Sequence, residues 1–107
     1  MNANNVAKRL LIVDCLKIPI NTSDFKLYQI CGNLVCKVQK AEYYLLSFDD
    51  GTGVINCKIF KDEVYDSICE KLDFGDCCTI EGELISDYSS TQPIINVYRI
   101  VLTLISY

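Results

Sequence analysis

Apolar and polar residues alternate along most of this chain, and a period of two is typical of strands that bury one face. The alternating runs predict six strands, at residues 6–18, 25–40, 43–48, 54–61, 76–86 and 93–105. Residues 62–72 break this pattern, because Val64, Ile68 and Leu72 recur every four residues, as on one face of a helix. Asp62 is a suitable N-cap and Gly75 a suitable stop, so we predict one helix here.

The segment Asp49–Gly53 separates two of these strands and contains two aspartates and two glycines. Glycine tolerates positive backbone angles, and aspartate accepts local hydrogen bonds, so the segment predicts a tight antiparallel hairpin. Turn chemistry also explains the Asp49–Asp50 pair better than a metal site or acid–base catalysis does. In the second predicted strand, Gly32 permits the sharp bend that a small curled barrel requires.

The order strand, strand, hairpin, strand, helix, strand, strand predicts an all-β fold. A helix between the third and fourth barrel strands is the arrangement of the OB fold, a five-stranded Greek-key barrel. We therefore predict one OB-fold domain over residues 1–107, with a barrel at 25–107 and an N-terminal extension at 1–24 that adds an extra strand. The positions expected to face the core include Ile30, Gly32, Leu34, Cys36, Val38, Tyr44, Leu46, Phe48, Ile55, Cys57, Ile59, Cys78, Ile80, Gly82 and Leu84.

Composition narrows the possible functions. The chain has 107 residues, a formal charge of −4, seven cysteines and no histidine. An odd set of cysteines without a CxxC pair supports neither a disulfide framework nor a zinc site, so we expect buried, reduced thiols. The sequence also contains no serine elbow and no glycine-rich phosphate loop, so we predict no catalysis, no cofactor and no metal. A membrane span and a secretion signal are also not expected, which suggests an intracellular protein.

The stretch Tyr44–Cys57, which reads YLLSFDDGTGVINC, resembles the centre of the OB domains of the Stn-type telomere-capping protein and of the middle subunit of replication protein A. Leu11–Leu16 is similar to that family's extra strand, and Gln29–Val35 is similar to its glycine-centred first barrel strand. The similarity spans roughly Leu10–Leu84 and extends to an insect telomere protein of this family. It implies a nuclear protein at chromosome ends that binds single-stranded DNA, although a replication-type role fits the same hairpin.

The resemblance also implies a protein partner, because members of this family pair with a second, smaller OB protein through elements that include a helix after the last strand. This sequence ends at Tyr107, directly after its final predicted strand. We expect either that the helix was cut away or that pairing differs here.

Nucleic acid is expected on the outer face of the second and third barrel strands, between the first-to-second and fourth-to-fifth loops. The outward residues Tyr43, Asn56, Lys58 and Phe60 combine stacking surfaces, an amide and a cation, and Phe60 falls where the family often carries a DNA-contacting aromatic. Lys37, Lys40, Lys61 and Arg99 are candidate phosphate contacts, and Tyr88 is a candidate clamp at the rim. The alternative is that Tyr43 and Phe60 cover a strand pair or meet a protein partner, and that the lysines only aid solubility. The net negative charge disfavours strong DNA binding, and Glu81 and Glu83 oppose it if they share the groove.

The final predicted strand is apolar on both faces, whereas an outer barrel strand needs only one buried side. Excess apolar surface often marks a protein interface. The predicted interface residues are Ile94, Tyr98, Ile100, Leu102 and Leu104, in a heterodimer or a homodimer. The alternative is that this strand packs against Leu11 and Val13 of the N-terminal extension. A scaffold that pairs with proteins but has lost DNA binding is the competing hypothesis for function.

Overall fold

The computed structural model describes residues 6–20, 26–86 and 91–103. These residues form six strands and two helices. In chain order the elements are β1 (Lys8–Arg9), α1 (Ile12–Leu16), β2 (Leu27–Gln39), β3 (Tyr43–Asp49), β4 (Val54–Phe60), α2 (Glu63–Lys71), β5 (Cys77–Ser86) and β6 (Pro93–Leu102).

The strands form one closed sheet. Their order is β1-β2-β3-β4-β6-β5, and β2 also pairs with β5, so strands β2 to β6 complete a five-stranded barrel with β1 added outside it. The β4–β6 contact is parallel, whereas the other pairings within the barrel are antiparallel. This is the predicted OB barrel with an extra strand and a helix between the third and fourth barrel strands.

Strand β2 belongs to two parts of the barrel because it bends in its middle. Its first half, Leu27–Asn33, pairs with β5, and its second half, Asn33–Gln39, pairs with β3. Gly32 lies at this change of partner, where an added Cβ would come within 3.1 Å of the carbonyl oxygen of Asp49. A side chain at Gly32 would therefore crowd β3 where β2 changes partner.

A β-bulge follows the bend and corrects part of the predicted core. Leu34 pairs with Phe48, but the next paired residue is Cys36, opposite Ser47, so Val35 is left over. An extra residue reverses the side-chain alternation beyond it. Cys36 and Val38 are therefore exposed rather than buried, as the sequence had predicted.

The turn at Asp49–Gly53 is confirmed as a hairpin turn. Gly51 has a φ of +88°, and Asp49 Oδ1 accepts a hydrogen bond from the Gly51 N–H at 2.8 Å. Asp50 Oδ1 accepts from the Thr52 N–H at 2.9 Å. Both aspartates therefore serve the turn.

The same turn organises the N-terminal segment, where the sequence prediction of one strand over 6–18 is wrong. Only Lys8–Arg9 is a strand there, and Ile12–Leu16 is a helix. The first two N–H groups of this helix have no acceptor within the helix and donate hydrogen bonds to side chains of the turn instead. The Ile12 N–H donates to Asp50 Oδ2 at 2.9 Å, and the Val13 N–H donates to Thr52 Oγ1 at 3.1 Å.

Helix α2 matches its prediction closely. Asp62 is the N-cap, and its Oδ1 accepts from the N–H groups of Val64 and Tyr65 at 2.8 and 3.0 Å. Of the predicted inward face, Leu72 is buried in the core and Ile68 packs against it, whereas Val64 is exposed; Cys69 is also buried. No helix in the described ranges is long and apolar enough to cross a bilayer.

The core contains nearly all of the predicted inward positions of β3, β4 and β5, joined by Ile12 and Cys15 from α1. Four of the seven cysteines, Cys15, Cys57, Cys69 and Cys78, are fully buried as expected for small apolar side chains, whereas Cys31 and Cys77 are partly exposed and Cys36 is exposed. Burial raises the pKa of the Cys15 thiol to about 11 and that of Cys78 to about 12, so both stay protonated at neutral pH.

Candidate nucleic-acid interface

The outer face of the β3–β4 hairpin carries the predicted interface. The register of the hairpin places Tyr43 opposite Phe60, Leu45 opposite Lys58, and Ser47 opposite Asn56. Alternation turns the other side chains of both strands into the core, where Tyr44, Leu46, Phe48, Ile55, Cys57 and Ile59 are buried. A rigid, well-packed sheet therefore presents this face.

Three side chains form a compact group at one end of this face, which we call the Lys58 cluster: Tyr43, Lys58 and Phe60. The Lys58 ammonium lies 4.3 Å from the centroid of the Tyr43 ring and 5.1 Å from that of Phe60. The two rings meet edge to face, with centroids 6.2 Å apart and planes at 64°. These are the distances of cation–π and aromatic pairing, so the cluster is pre-organised. Phe60 nevertheless remains 52% exposed.

Asn56 lies on the same face, nearer the hairpin turn. Its Oδ1 accepts a hydrogen bond from the Ser47 hydroxyl at 2.6 Å. The amide nitrogen of Asn56 remains as a donor toward solvent, since a side-chain amide has both a donor and an acceptor group.

Two apolar residues of this face were missed by the sequence prediction. Val38 pairs with Leu45, and Leu45 pairs with Lys58, so a row of side chains crosses three strands. The prediction placed Val38 inside because it assumed unbroken alternation in β2. Two adjacent apolar residues, Leu34 and Val35, are the only local signal of the bulge, and they are not specific.

The predicted cationic residues do not all reach this face. Lys40 is exposed in the turn before β3, where its N–H donates to the Tyr43 carbonyl at 2.9 Å. Lys37 lies beyond the bulge on the core side of β2, and its Nζ donates to the Leu72 carbonyl at the end of α2 at 3.2 Å. The Lys61 ammonium lies 5.3 Å from the ring centroid of Tyr44, which faces the core rather than the interface. Lys37 and Lys61 are thus placed away from the cluster.

The remaining candidates fall elsewhere. Arg99 lies on β6 and forms a 3.8 Å ion pair with Glu81 of β5. Tyr88, the predicted clamp in the fourth-to-fifth loop, lies outside the described residues.

The two carboxylates that were expected to oppose binding are held at a distance from the Lys58 cluster. Glu81 accepts a hydrogen bond from Gln29 at 2.8 Å in addition to its pairing with Arg99. Glu83 pairs with Asn96, and Asn96 pairs with Lys58, so β6 separates Glu83 from Lys58. Two strand spacings are roughly 10 Å, about one Debye length at moderate salt, and the repulsion there is weak.

The burial of side chains on β6 corrects the predicted protein interface. Ile94 and Ile100 are 7% and 4% exposed, so neither is available to a partner. Ile100 belongs to the barrel core, whereas Ile94 is buried outside the core cluster. Tyr98 and Leu102 are exposed, as is Val101. Leu104 lies outside the described residues. The alternative, in which this strand packs against Leu11 and Val13, assumed an N-terminal strand there, but Leu11 is the N-cap of helix α1 and Val13 lies within that helix.

Comparison with solved structures shows the fold in other proteins at low identity. The chain matches the Stn1–Ten1 complex of S. pombe with a TM-score of 0.76 and 15% identity, over 95% of this chain and 79% of that one. It matches a replication protein A heterotrimer bound to single-stranded DNA with a TM-score of 0.61 and 15% identity, over 73% and 57% of the two chains.

An asparaginyl-tRNA synthetase from Pyrococcus horikoshii also matches, with a TM-score of 0.68 and 18% identity, over 74% of this chain. The matched region is 19% of the synthetase chain, so the two share one domain. No curated protein sequence matches the chain.

The family comparison covers more than half of the sequence. Residues 28–103 match the tRNA anti-codon family model, which is described as an OB-fold nucleic acid binding domain. The matched range runs from β2 to the end of β6 and so includes the whole barrel and the Lys58 cluster. This chain belongs to the OB-fold nucleic-acid-binding domain family.

Proposed function

We propose that this chain is a single-stranded DNA-binding OB subunit of a telomere-capping complex in the nucleus, and that it assembles with other OB-fold proteins. The observation that carries the proposal is the Lys58 cluster, which places a cation between two aromatic rings on the face that OB folds use for nucleic acid. The proposed role is binding rather than catalysis.

In this proposal a base stacks on the exposed surface of Phe60, and the Lys58 ammonium contacts the adjacent phosphate. Stacking on an aromatic side chain is worth about 1–3 kcal/mol and tolerates any base. With Tyr43 half-buried beside them, two rings and one cation support modest affinity, on the order of micromolar. The row of Val38 and Leu45 extends the apolar surface along which further nucleotides lie.

The test is a fluorescence-anisotropy titration of a labelled single-stranded oligonucleotide with wild-type protein and Phe60→Ala. Loss of stacking should weaken binding by roughly 5-fold to 150-fold. Phe74→Ala is the matched control, because Phe74 is 70% exposed but lies in the segment between α2 and β5, away from the cluster. Equal affinities for Phe60→Ala and the wild type would refute the proposed face.

The share of each chain that the structural matches cover supports the telomeric part of the proposal. The match to the S. pombe Stn1–Ten1 structure extends over a larger share of both chains than the match to replication protein A. The alternative is a replication or repair subunit. Imaging the tagged full-length protein together with a marker of chromosome ends separates these roles, and localisation to replication foci alone would favour the alternative.

A protein-pairing scaffold is the second candidate, and the exposed side chains of Tyr98, Val101 and Leu102 at the end of β6 favour it. Exposed apolar side chains at the end of a strand offer contacts for a small OB partner or for a second copy of the chain. Leu102→Asp should then abolish assembly in sedimentation velocity, whereas Val64→Asp, at a more exposed apolar site on α2, should not. Unchanged assembly of Leu102→Asp would exclude this surface.

A further inference from the structure

A pair of thiols lies on the outside of the barrel, away from the Lys58 cluster. The sulfur atoms of Cys31 and Cys77 are 3.6 Å apart, which is van der Waals contact. Cys31 belongs to β2 and Cys77 to β5, the two strands whose pairing closes the barrel. Both side chains are partly exposed and line an open groove that also contains Phe74.

The surroundings make the two thiols unequal. Burial raises the pKa of Cys31, but hydrogen bonds from Cys77, Arg9 and Thr79, together with the charge of Arg9, outweigh it, so the pKa is lowered. For Cys77, burial and the hydrogen bond and charge of Cys31 raise the pKa. Cys31 is therefore the better nucleophile at neutral pH, and Cys77 remains protonated beside it.

The short strand β1 accounts for the position of the cation. Arg9 pairs with Gln29 in a parallel ladder, and Gln29 lies on the same face of β2 as Cys31. The extra strand thus brings a guanidinium to the thiol. An accessible thiolate next to a second cysteine is the arrangement that redox-active thiols use.

We propose that Cys31 and Cys77 form a reversible disulfide by exchange with a small disulfide such as oxidised glutathione. The Cys31 thiolate attacks one sulfur of glutathione disulfide, which forms a mixed disulfide and releases one glutathione thiolate. The Cys77 thiol then loses its proton to solvent and attacks the Cys31 sulfur, which releases the second glutathione. The two protein thiols are oxidised, and one glutathione disulfide is reduced to two thiols.

The register explains why this bond would be reversible. Cys31 pairs with Thr79, and Cys77 pairs with Asn33, so the two cysteines are diagonal neighbours. Diagonal positions in a regular ladder have Cα atoms about 7–8 Å apart, at the upper limit of what a relaxed disulfide spans. The sulfurs must close from 3.6 Å to about 2.05 Å, which needs side-chain rotation and a small shift of the ladder. A bond formed under such constraint is easily reduced.

The experiment measures the products of incubation with glutathione disulfide at neutral pH, followed by alkylation and mass spectrometry. Trypsin leaves Cys31 and Cys36 on one peptide, Leu27–Lys37, so the reference protein is Cys36→Ser. It should lose two hydrogen atoms and yield peptide Leu27–Lys37 linked to peptide Leu72–Arg99, with fragmentation placing the bond on Cys77 rather than on Cys78, and dithiothreitol should reverse this. The double variant Cys36→Ser/Cys77→Ser should stop at one bound glutathione on Cys31.

Cys31→Ser, which keeps the exposed Cys36, is the control for accessibility. It should react at least about threefold more slowly than the Cys36→Ser protein and form no internal bridge. Far-UV circular dichroism checks that each variant is folded. A Cys36→Ser protein that stays reduced, or that keeps a stable mixed disulfide despite Cys77, would overturn the proposal. The assay contains no DNA, so its result is independent of the proposed function.

Discussion

Gly82 is the position where the structure leaves least room for a side chain. It lies in β5 opposite Val97 of β6, next to an irregularity in the pairing of the two strands. An added Cβ would lie 2.2 Å from the carbonyl oxygen of Asn96 and 2.7 Å from Cγ2 of Ile95. Ordinary contact begins near 3.4 Å, so Gly82→Ala must push β5 and β6 apart by about 1.2 Å.

This clash is costly because it involves backbone. A rotamer change relieves contact with a flexible side chain, but it cannot move a carbonyl that is fixed in a barrel strand. Overpacking in a core typically costs 1–3 kcal/mol, and we expect Gly82→Ala to lose about 3 kcal/mol or more. Against a total stability of roughly 5–15 kcal/mol, this is a large fraction.

Urea denaturation followed by circular dichroism measures the change, with Gly53→Ala as the matched control. A Cβ at Gly53 would lie 3.4 Å from side-chain atoms of Ile12 and Leu16, in ordinary contact. That variant should be neutral or more stable by up to about 1 kcal/mol, because alanine lowers the entropy of the unfolded chain. A free energy of unfolding for Gly82→Ala within about 1 kcal/mol of the wild type would refute the reasoning.

Three further predictions follow from single contacts. Asp62→Ala removes the N-cap of α2 and should cost about 1 kcal/mol in urea denaturation, whereas Glu63→Ala next to it should cost less. Burial raises the pKa of Asp50, but hydrogen bonds from Ile12 and the turn lower it below 3.8. The ionised Asp50 carboxylate therefore stabilises the folded protein above about pH 5, and this stabilisation is lost as the pH falls through the pKa of the folded state. The free energy of unfolding of Asp50→Asn should therefore fall less between pH 7 and pH 3 than that of the wild type. Lys37→Met should bind the oligonucleotide with an affinity within about twofold of the wild type, because Lys37 contacts the end of α2. A larger loss of affinity would show that Lys37 belongs to the interface.

The sequence predicted the barrel well because its signals were local and repeated. The glycine turn, the alternation in β3 and β4, and the Asp62 cap are each decided by neighbouring residues, and all three are present. The helix Ile12–Leu16 could not be predicted in the same way. Its first N–H groups are accepted by side chains of a turn 38 and 39 residues away, so its start depends on tertiary structure.

In the candidate site, too, the sequence predicted the part that depends on neighbouring residues and missed the part that does not. The group Tyr43, Lys58 and Phe60 was predicted from alternation within one hairpin, and the structure brings the three together. The errors lie in β2, where one extra residue at Val35 turns Lys37 toward α2 and Val38 toward solvent. Alternation carries no information on a bulge, so Cys36, Lys37 and Val38 were assigned to the wrong faces.

The charge balance of the site determines how the proposed binding should respond to salt. The structure places Lys58 on the face and Lys40 in the turn beside it, in a chain whose formal charge is −4. Each neutralised phosphate of a single strand contributes a slope of about 0.7 to the dependence of log affinity on log salt, so two lysines give roughly 1.4. A shallow slope together with a large effect of Phe60→Ala means that stacking supplies most of the affinity. With that result, the proposed function predicts weak DNA binding by the domain alone, and a second OB protein that extends the stacking surface would supply the rest of the affinity.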